Sequence, residues 1–216
     1  MANIKKLYGS INYKNMNNKT QIKGATYNDD ISGLKLDTSK TYTLEDIYFY
    51  EAKNITKATL KYFSTSPSKK IAPFTYKWFL QLHYEMFGDV WKWAGKIRQV
   101  ELSIGVKAYL INIELKKLID DLEFWEQNKS FDLIEIASRL HHRAVQIHPF
   151  LNGNGRYSRM LANIYLKQNA LEPTKWNENL LAKENPHRND YIQALKKADD
   201  GDYTDLIKMQ SNIFTT

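Results

Sequence analysis

The sequence predicts a mainly helical single domain of about eight helices with one short β-hairpin. Three observations carry this. Apolar residues recur at helical spacing through most of the chain, bounded by recognisable caps. One stretch, Val100 to Leu110, switches to strict alternation around Gly105. The length of 216 residues suits one domain with a sizeable core, and 43% apolar with 25% charged residues is ordinary for a globular protein.

Met1 to Lys40 is polar, rich in Asn, Lys, Gly and Ser, and shows no sustained period. It reads as an N-terminal arm, with the domain running from 41 to 216. Thr43 followed by Asp46 resembles a capping box and opens a helix over Leu44 to Phe63, which the Ser64–Ser68 stretch around Pro67 stops. Thr75 caps the next helix, with Trp78, Phe79, Leu82 and Met86 on one face and Gly88 at its end. Trp91 and Trp93 read as core anchors.

Beyond the alternating stretch, a helix begins at Asn112 or Ile113 and runs to about Asn128. Ser130 caps another, whose stripe Leu133, Ala137, Leu140, Ala144 and Ile147 faces inward. A further helix starts near Arg156 and continues to Gln168. Asn185 and Pro186 start one that ends at Asp200–Gly201, and Tyr203 to Phe214 closes the chain.

Composition narrows the chemistry. The absence of cysteine excludes disulfides, thiolate metal sites and a cysteine nucleophile. With no long apolar run and no leader-type apolar region at the start, the chain reads as cytoplasmic and not membrane-bound. The net charge of +7 favours anionic partners, but the basic residues are spread out, so a nucleic-acid surface is not expected. His141, His142 and His148 lack the i, i+4 partner of helical zinc motifs, which argues against zinc.

The chemistry concentrates between His148 and Arg159. Gly153 and Gly155 precede a helix start, where backbone N–H groups converge on an anion and the helix N-terminus adds partial positive charge. Arg156 and Arg159 stand at i, i+3 and can reach one oxyanion cluster. His148 is the nearby group whose ordinary pKa lets it accept a proton near neutral pH. Neither a Walker A loop nor a Rossmann glycine fingerprint is present. A base beside a polyphosphate cradle points to group transfer.

This segment resembles the Fic motif, His-x-Phe-x-[Asp/Glu]-Gly-Asn-Gly-Arg-x-x-Arg, at every fixed position except the acidic one, which is Asn152 here. The segments Leu82–Arg98, Ser103–Val106 and Tyr191–Tyr203 extend the likeness, and the wider chain resembles the Fic subfamily called mobile mystery protein B.

The resemblance implies a Fic-type helical bundle and an adenylyltransferase. AMP would pass from ATP to a Tyr, Thr or Ser hydroxyl of a target protein, with His148 as general base and Mg²⁺ on the nucleotide. Asn152, Gly153, Asn154, Gly155, Arg156 and Arg159 would bind the nucleotide, with backbone amides and the Asn154 side chain on the α-phosphate and the two arginines on the β- and γ-phosphates. The hairpin residues Leu102, Ser103, Ile104, Gly105 and Val106 would form a flap that pairs with the target. Asn152, with a neutral carbonyl oxygen, is the weak candidate for Mg²⁺. Such a protein would be a bacterial toxin or a modifier of a cellular machine. The alternatives are a nucleotide- or nucleic-acid-binding relative with weakened or lost catalysis through Asn152, and a transferase of phosphate or another phosphate-linked group.

Many relatives are silenced by a glutamate that pairs with the second motif arginine, here Arg159, within a [Ser/Thr]-x-x-x-Glu-[Gly/Asn] string. Thr174 to Asn179 fits that string around Glu178, but it follows the motif helix and so loose a pattern arises easily by chance. It reads as coincidence, leaving inhibition to a separate partner such as a helix-turn-helix companion.

Overall fold

The computed structural model describes residues 33–37, 39–182 and 184–211. Of the expected N-terminal arm, residues 1–32 and 38 lie outside them, as does the expected end of the last helix beyond 211.

Eight α-helices are present among the described residues: α1 (Leu44–Phe63), α2 (Tyr76–Phe87), α3 (Ile111–Asn128), α4 (Leu133–Ile147), α5 (Asn154–Gln168), α6 (Glu178–Leu181), α7 (Pro186–Asp199) and α8 (Thr204–Gln210). A capping box sets the start of α1: the Thr43 hydroxyl accepts from the Asp46 N–H at 3.1 Å, and the Asp46 carboxylate accepts from the Thr43 N–H at 2.8 Å. Thr75 caps α2, and Asn185 caps α7 ahead of its Pro186. Asp132, not Ser130, stands at the N-cap of α4, though its side chain makes no capping bond.

The main core gathers α1 to α5, with Phe79, Leu82, Phe87, Leu140, Ile147, Phe150 and Leu161 among its buried residues. Helices α4 and α5 form its centre, packed against α3 and α2, with α1 outside α2. Gly33 to Lys35 also join this body. Leu34 is buried and bridges Trp91, while the Lys35 N–H donates to Val90 and the Lys92 N–H donates to Gly33. Leu181, Tyr191, Ala194, Ala198 and Leu206 make a second, smaller core between α6, α7 and α8. No helix of the described residues is long and apolar enough to cross a membrane.

The expected hairpin does not form. Residues 99–107 carry no β-ladder; they run as an irregular loop with bends at Ser103 to Val106, and Ala108–Leu110 make a 3₁₀ turn. The alternation of Val100, Leu102, Ile104 and Val106 reads as two strands, but Arg98 takes the role of a partner strand. Its guanidinium donates to the carbonyls of both Val100 and Val106. Carbonyls satisfied by one side chain need no ladder.

Candidate functional site

The site lies where α4 ends and α5 begins. His148 is the residue after α4, in the left-handed region at φ 52° and ψ 59°, and its N–H closes the helix on Ala144. Left-handed backbone is uncommon for a residue with a side chain, and here it turns the chain sharply into Pro149. The His148 carbonyl accepts from Arg98 Nε at 2.8 Å. Its ring is buried, and neither Nδ1 nor Nε2 makes a well-aligned hydrogen bond, although the Val145 backbone lies near enough to favour the protonated ring. Burial pushes the imidazole down to about 4, opposed by the Val145 backbone and reinforced by the Arg98 charge. It is therefore neutral at pH 7, with a lone pair available.

Phe150 anchors the loop beneath it. It is fully buried and stacks on His83 with ring centroids 3.6 Å apart and planes at 10°. Asn154 closes the turn: its Oδ1 accepts from the Phe150 N–H at 2.9 Å, and its Nδ2 donates to the Phe150 carbonyl at 2.8 Å. Both ends of the Asn154 amide thus shape the loop, holding these two backbone groups in register. Gly153 caps α5 at φ 78°, and a Cβ there would stand 2.7 Å from Phe87 ring atoms. Only glycine fits. The first N–H groups of α5, from Asn154, Gly155 and Arg156, are those that a helix start leaves without helical partners.

His83 supports this loop, and the sequence reading did not single it out. Its Nδ1 accepts from the Gly95 N–H at 2.9 Å, which leaves Nε2 to donate to the Asn152 carbonyl at 3.1 Å. Complete burial lowers its pKa to about 3. Asn152 turns its side-chain oxygen onto the Gly153 N–H at 2.6 Å. A neutral oxygen already engaged by its own loop is a poor resident ligand for Mg²⁺. The donor set here suits a cation that arrives on a nucleotide rather than one held by the protein.

Each motif arginine meets a glutamate. Arg156 Nη1 donates to Glu51 at 2.7 Å, and its guanidinium lies 4.7 Å from the Phe87 ring centroid. Glu51, on α1 and buried, also accepts from the Trp91 indole N–H at 2.6 Å. Arg159, almost fully buried, donates from Nε to Glu178 Oε1 at 2.8 Å and from Nη2 to Oε2. Burial works against its charge, but Glu178 and Tyr191 outweigh it and leave its pKa raised. The reading of the Thr174–Asn179 string as coincidence is therefore corrected. Asn177 caps the short α6, which presents Glu178 to Arg159 from the chain segment just beyond α5. Sequence separation of a single short loop, together with the string itself, was the signal available.

The other candidates fall as follows. The loop bearing Leu102, Ser103, Ile104, Gly105 and Val106 does lie beside the site, since a Cβ on Gly105 would stand 2.5 Å from His148 Cβ. His141 bonds Tyr191 and Gln210, and through the Tyr191 hydroxyl it stands behind Arg159, whereas His142 pairs with Asp199 and Tyr203.

A neutral imidazole ahead of a glycine-bounded helix N-terminus, flanked by two arginines on a helical bundle, sets a base beside backbone and side-chain donors that an anion can use. Residues 73–166 match the family described as Fic/DOC. It is 30% identical over 153 residues to "Protein adenylyltransferase Fic" of Drosophila grimshawi, a match covering 69% of this chain and 30% of that protein. The chain thus spans about 30% of the length of that curated relative. Two solved structures share the fold. "Fic-1 (aa134 - 508)" from C. elegans superposes at a TM-score of 0.63 and 22% identity, covering 85% of this chain and 57% of that one. An N-terminal Fic domain from Bartonella quintana with bound ADP superposes at 0.57 and 18% identity, covering 80% and 86%.

Proposed function

We propose that this chain is a protein adenylyltransferase whose substrates are ATP, carried as its Mg²⁺ complex, and a Tyr, Thr or Ser hydroxyl of another protein. The observation that carries the reading is His148: buried, neutral and without a well-aligned hydrogen bond on its ring, directly ahead of the anion-binding turn. The acceptor oxygen attacks the α-phosphorus as its proton passes to the His148 imidazole. The bond from the α-phosphorus to the bridging oxygen breaks, and pyrophosphate leaves. General-base assistance of this kind is worth typically ~10²–10⁴-fold. The polyphosphate charge raises the imidazole's proton affinity above its unliganded value, toward the range useful at neutral pH.

Backbone N–H groups at the start of α5 face the α-phosphate, and Arg156 and Arg159 take the outer phosphates. Glu178 supports a reading in which the chain restrains itself. While its carboxylate holds two donors of Arg159, those donors are not available to a γ-phosphate. Restraint from within the chain replaces the separate inhibitor that the sequence reading favoured.

The test is incubation of the purified chain with Mg²⁺ and ATP labelled at either the α- or the γ-phosphate. The proposal predicts that α-label, and not γ-label, becomes protein-bound, and that His148→Ala abolishes this while ATP still binds. Transfer of γ-label alone, or equal α-transfer by His148→Ala, refutes it.

A further inference from the structure

Arg98 is 2% exposed, and no described carboxylate forms an ion pair with it. All its polar contacts are backbone carbonyls: Nε donates to His148 at 2.8 Å, Nη1 to Val100 at 2.8 Å, and Nη2 to Val106. Its own N–H donates to the Pro149 carbonyl at 2.9 Å. One planar guanidinium therefore joins both stems of the 99–107 loop to the left-handed backbone of the candidate general base. Every hydrogen bond of this buried charge goes to a carbonyl, with the Glu101 carboxylate acting on it only at longer range, so what it holds together is unusually well defined.

The same contacts divide the loop. Val106 belongs to the stem: its carbonyl takes Arg98 and its N–H donates to Ile147 at 3.4 Å. Among the described residues, no hydrogen bond engages the backbone of Leu102 to Gly105. Those N–H and C=O groups are the ones left for an extended segment of another chain to pair with. Gly105 brings this edge against His148; at φ 97°, with a Cβ 2.5 Å from His148 Cβ, no other residue fits.

We infer that Arg98 is a positioning residue that fixes both the orientation of His148 and the register of the loop, so that an acceptor peptide is read by Leu102–Gly105 and not by Val106. The acceptor clause rests on the proposed function; the positioning of His148 and of the loop does not.

The test compares the full chain with Arg98→Met and Arg98→Lys by two readouts that need no activity: amide hydrogen exchange, and the NMR titration of the His148 imidazole. In Arg98→Met, Val106 amide exchange should accelerate at least ~10-fold while α4 amides such as Leu140 keep their protection. The His148 midpoint should rise as the neighbouring charge is lost. Arg98→Lys should restore the midpoint but not the Val106 protection, because an ammonium lacks the fork that spans both stems.

A third readout uses a Glu178→Gly background. Adding Arg98→Met should cut α-label transfer to bacterial lysate proteins at least ~10-fold while ATP affinity stays within threefold. Unchanged Val106 exchange together with an unchanged His148 midpoint overturns the inference, as does acceleration spread evenly over all helices. If Arg98→Met does not fold, the Lys variant decides by the same split. If Glu178→Gly transfers no label at all, the proposed function fails, and the exchange and titration results still decide the role of Arg98.

Discussion

Glu178 grips Arg159 with both carboxylate oxygens, from a helix that spans only Glu178–Leu181. The two partners are unequal. The Arg159 side chain is 8% exposed and the Glu178 side chain 45%. Arg159 is fixed by its surroundings, with the Tyr191 hydroxyl 3.5 Å from Nη1, whereas Glu178 sits on the solvent side. A phosphate competing for Arg159 thus has to displace a carboxylate that water already reaches. Water screens Glu178 but not Arg159, so the carboxylate also offsets the cost of burying the guanidinium.

Removing the glutamate should therefore free Arg159 for a phosphate and leave its buried charge without a carboxylate partner until one binds. Glu178→Gly is expected to bind ATP at least ~10-fold more tightly by calorimetry, with a melting temperature below the parent's that ATP raises again. Glu178→Gln, which keeps the shape but not the charge, should fall between. Unchanged affinity in both variants would mean that Arg159 plays no part in holding the nucleotide.

Glu51 makes the contrasting pair. Its carboxylate is buried and holds both the Arg156 guanidinium and the Trp91 indole N–H. Deleting it by Glu51→Ala leaves both donors stranded, one of them charged, at an expected cost of roughly 3 kcal/mol in chemical denaturation. Glu51→Gln should cost less, since it keeps an acceptor for Trp91. Equal stability of the Ala variant and the parent would contradict the geometry around Arg156.

Acid should unfold the protein early. His83 and His141 are fully buried with pKa values near 3, and His148 stands near 4, all against about 6.5 for an unfolded histidine. Each is neutral when folded, so below pH 6.5 the unfolded chain binds more protons and stability falls with pH until the folded values are reached. These three groups bring the slope to about 4 kcal/mol per pH unit between pH 6 and 4.5, and His142, whose pKa burial also lowers, adds to it. Denaturation midpoints across that range measure it, and His83→Gln should reduce the slope by about 1 kcal/mol per pH unit. A flat profile would show that these rings are not held neutral.

Gly153→Ala tests the loop. The substitution places a Cβ 2.7 Å from the Phe87 ring on a backbone at φ 78°. The expected loss is roughly 2 kcal/mol of stability together with weakened ATP binding. Wild-type values in both would mean that the turn has another conformation.

Features encoded within a few residues were legible in the sequence. Thr43 and Asp46 announce the start of α1, Pro186 that of α7, and Gly153 the turn into α5. The loop at 99–107 misled because alternation records which residues are half-buried, not what satisfies their carbonyls, and Arg98 stands outside the pattern. The starts of α4 and α5 shifted by a residue or two because Asp132 and a left-handed Gly153 occupy their caps. His83, Glu51 and Arg98 were invisible as site residues. Each acts on the motif across dozens of positions, Glu51 and His83 once α1 and α2 have packed, and Arg98 once its loop has closed on the end of α4.

The most direct test of the central claim compares Glu178→Gly with Glu178→Gly/His148→Ala, each given Mg²⁺ and ATP labelled at the α-phosphate in the presence of bacterial lysate proteins. The account predicts protein-bound label with the first variant and none with the second, at equal ATP occupancy. Label bound equally by both would contradict His148 as the base, and no label with the first despite bound ATP would contradict adenylyl transfer itself.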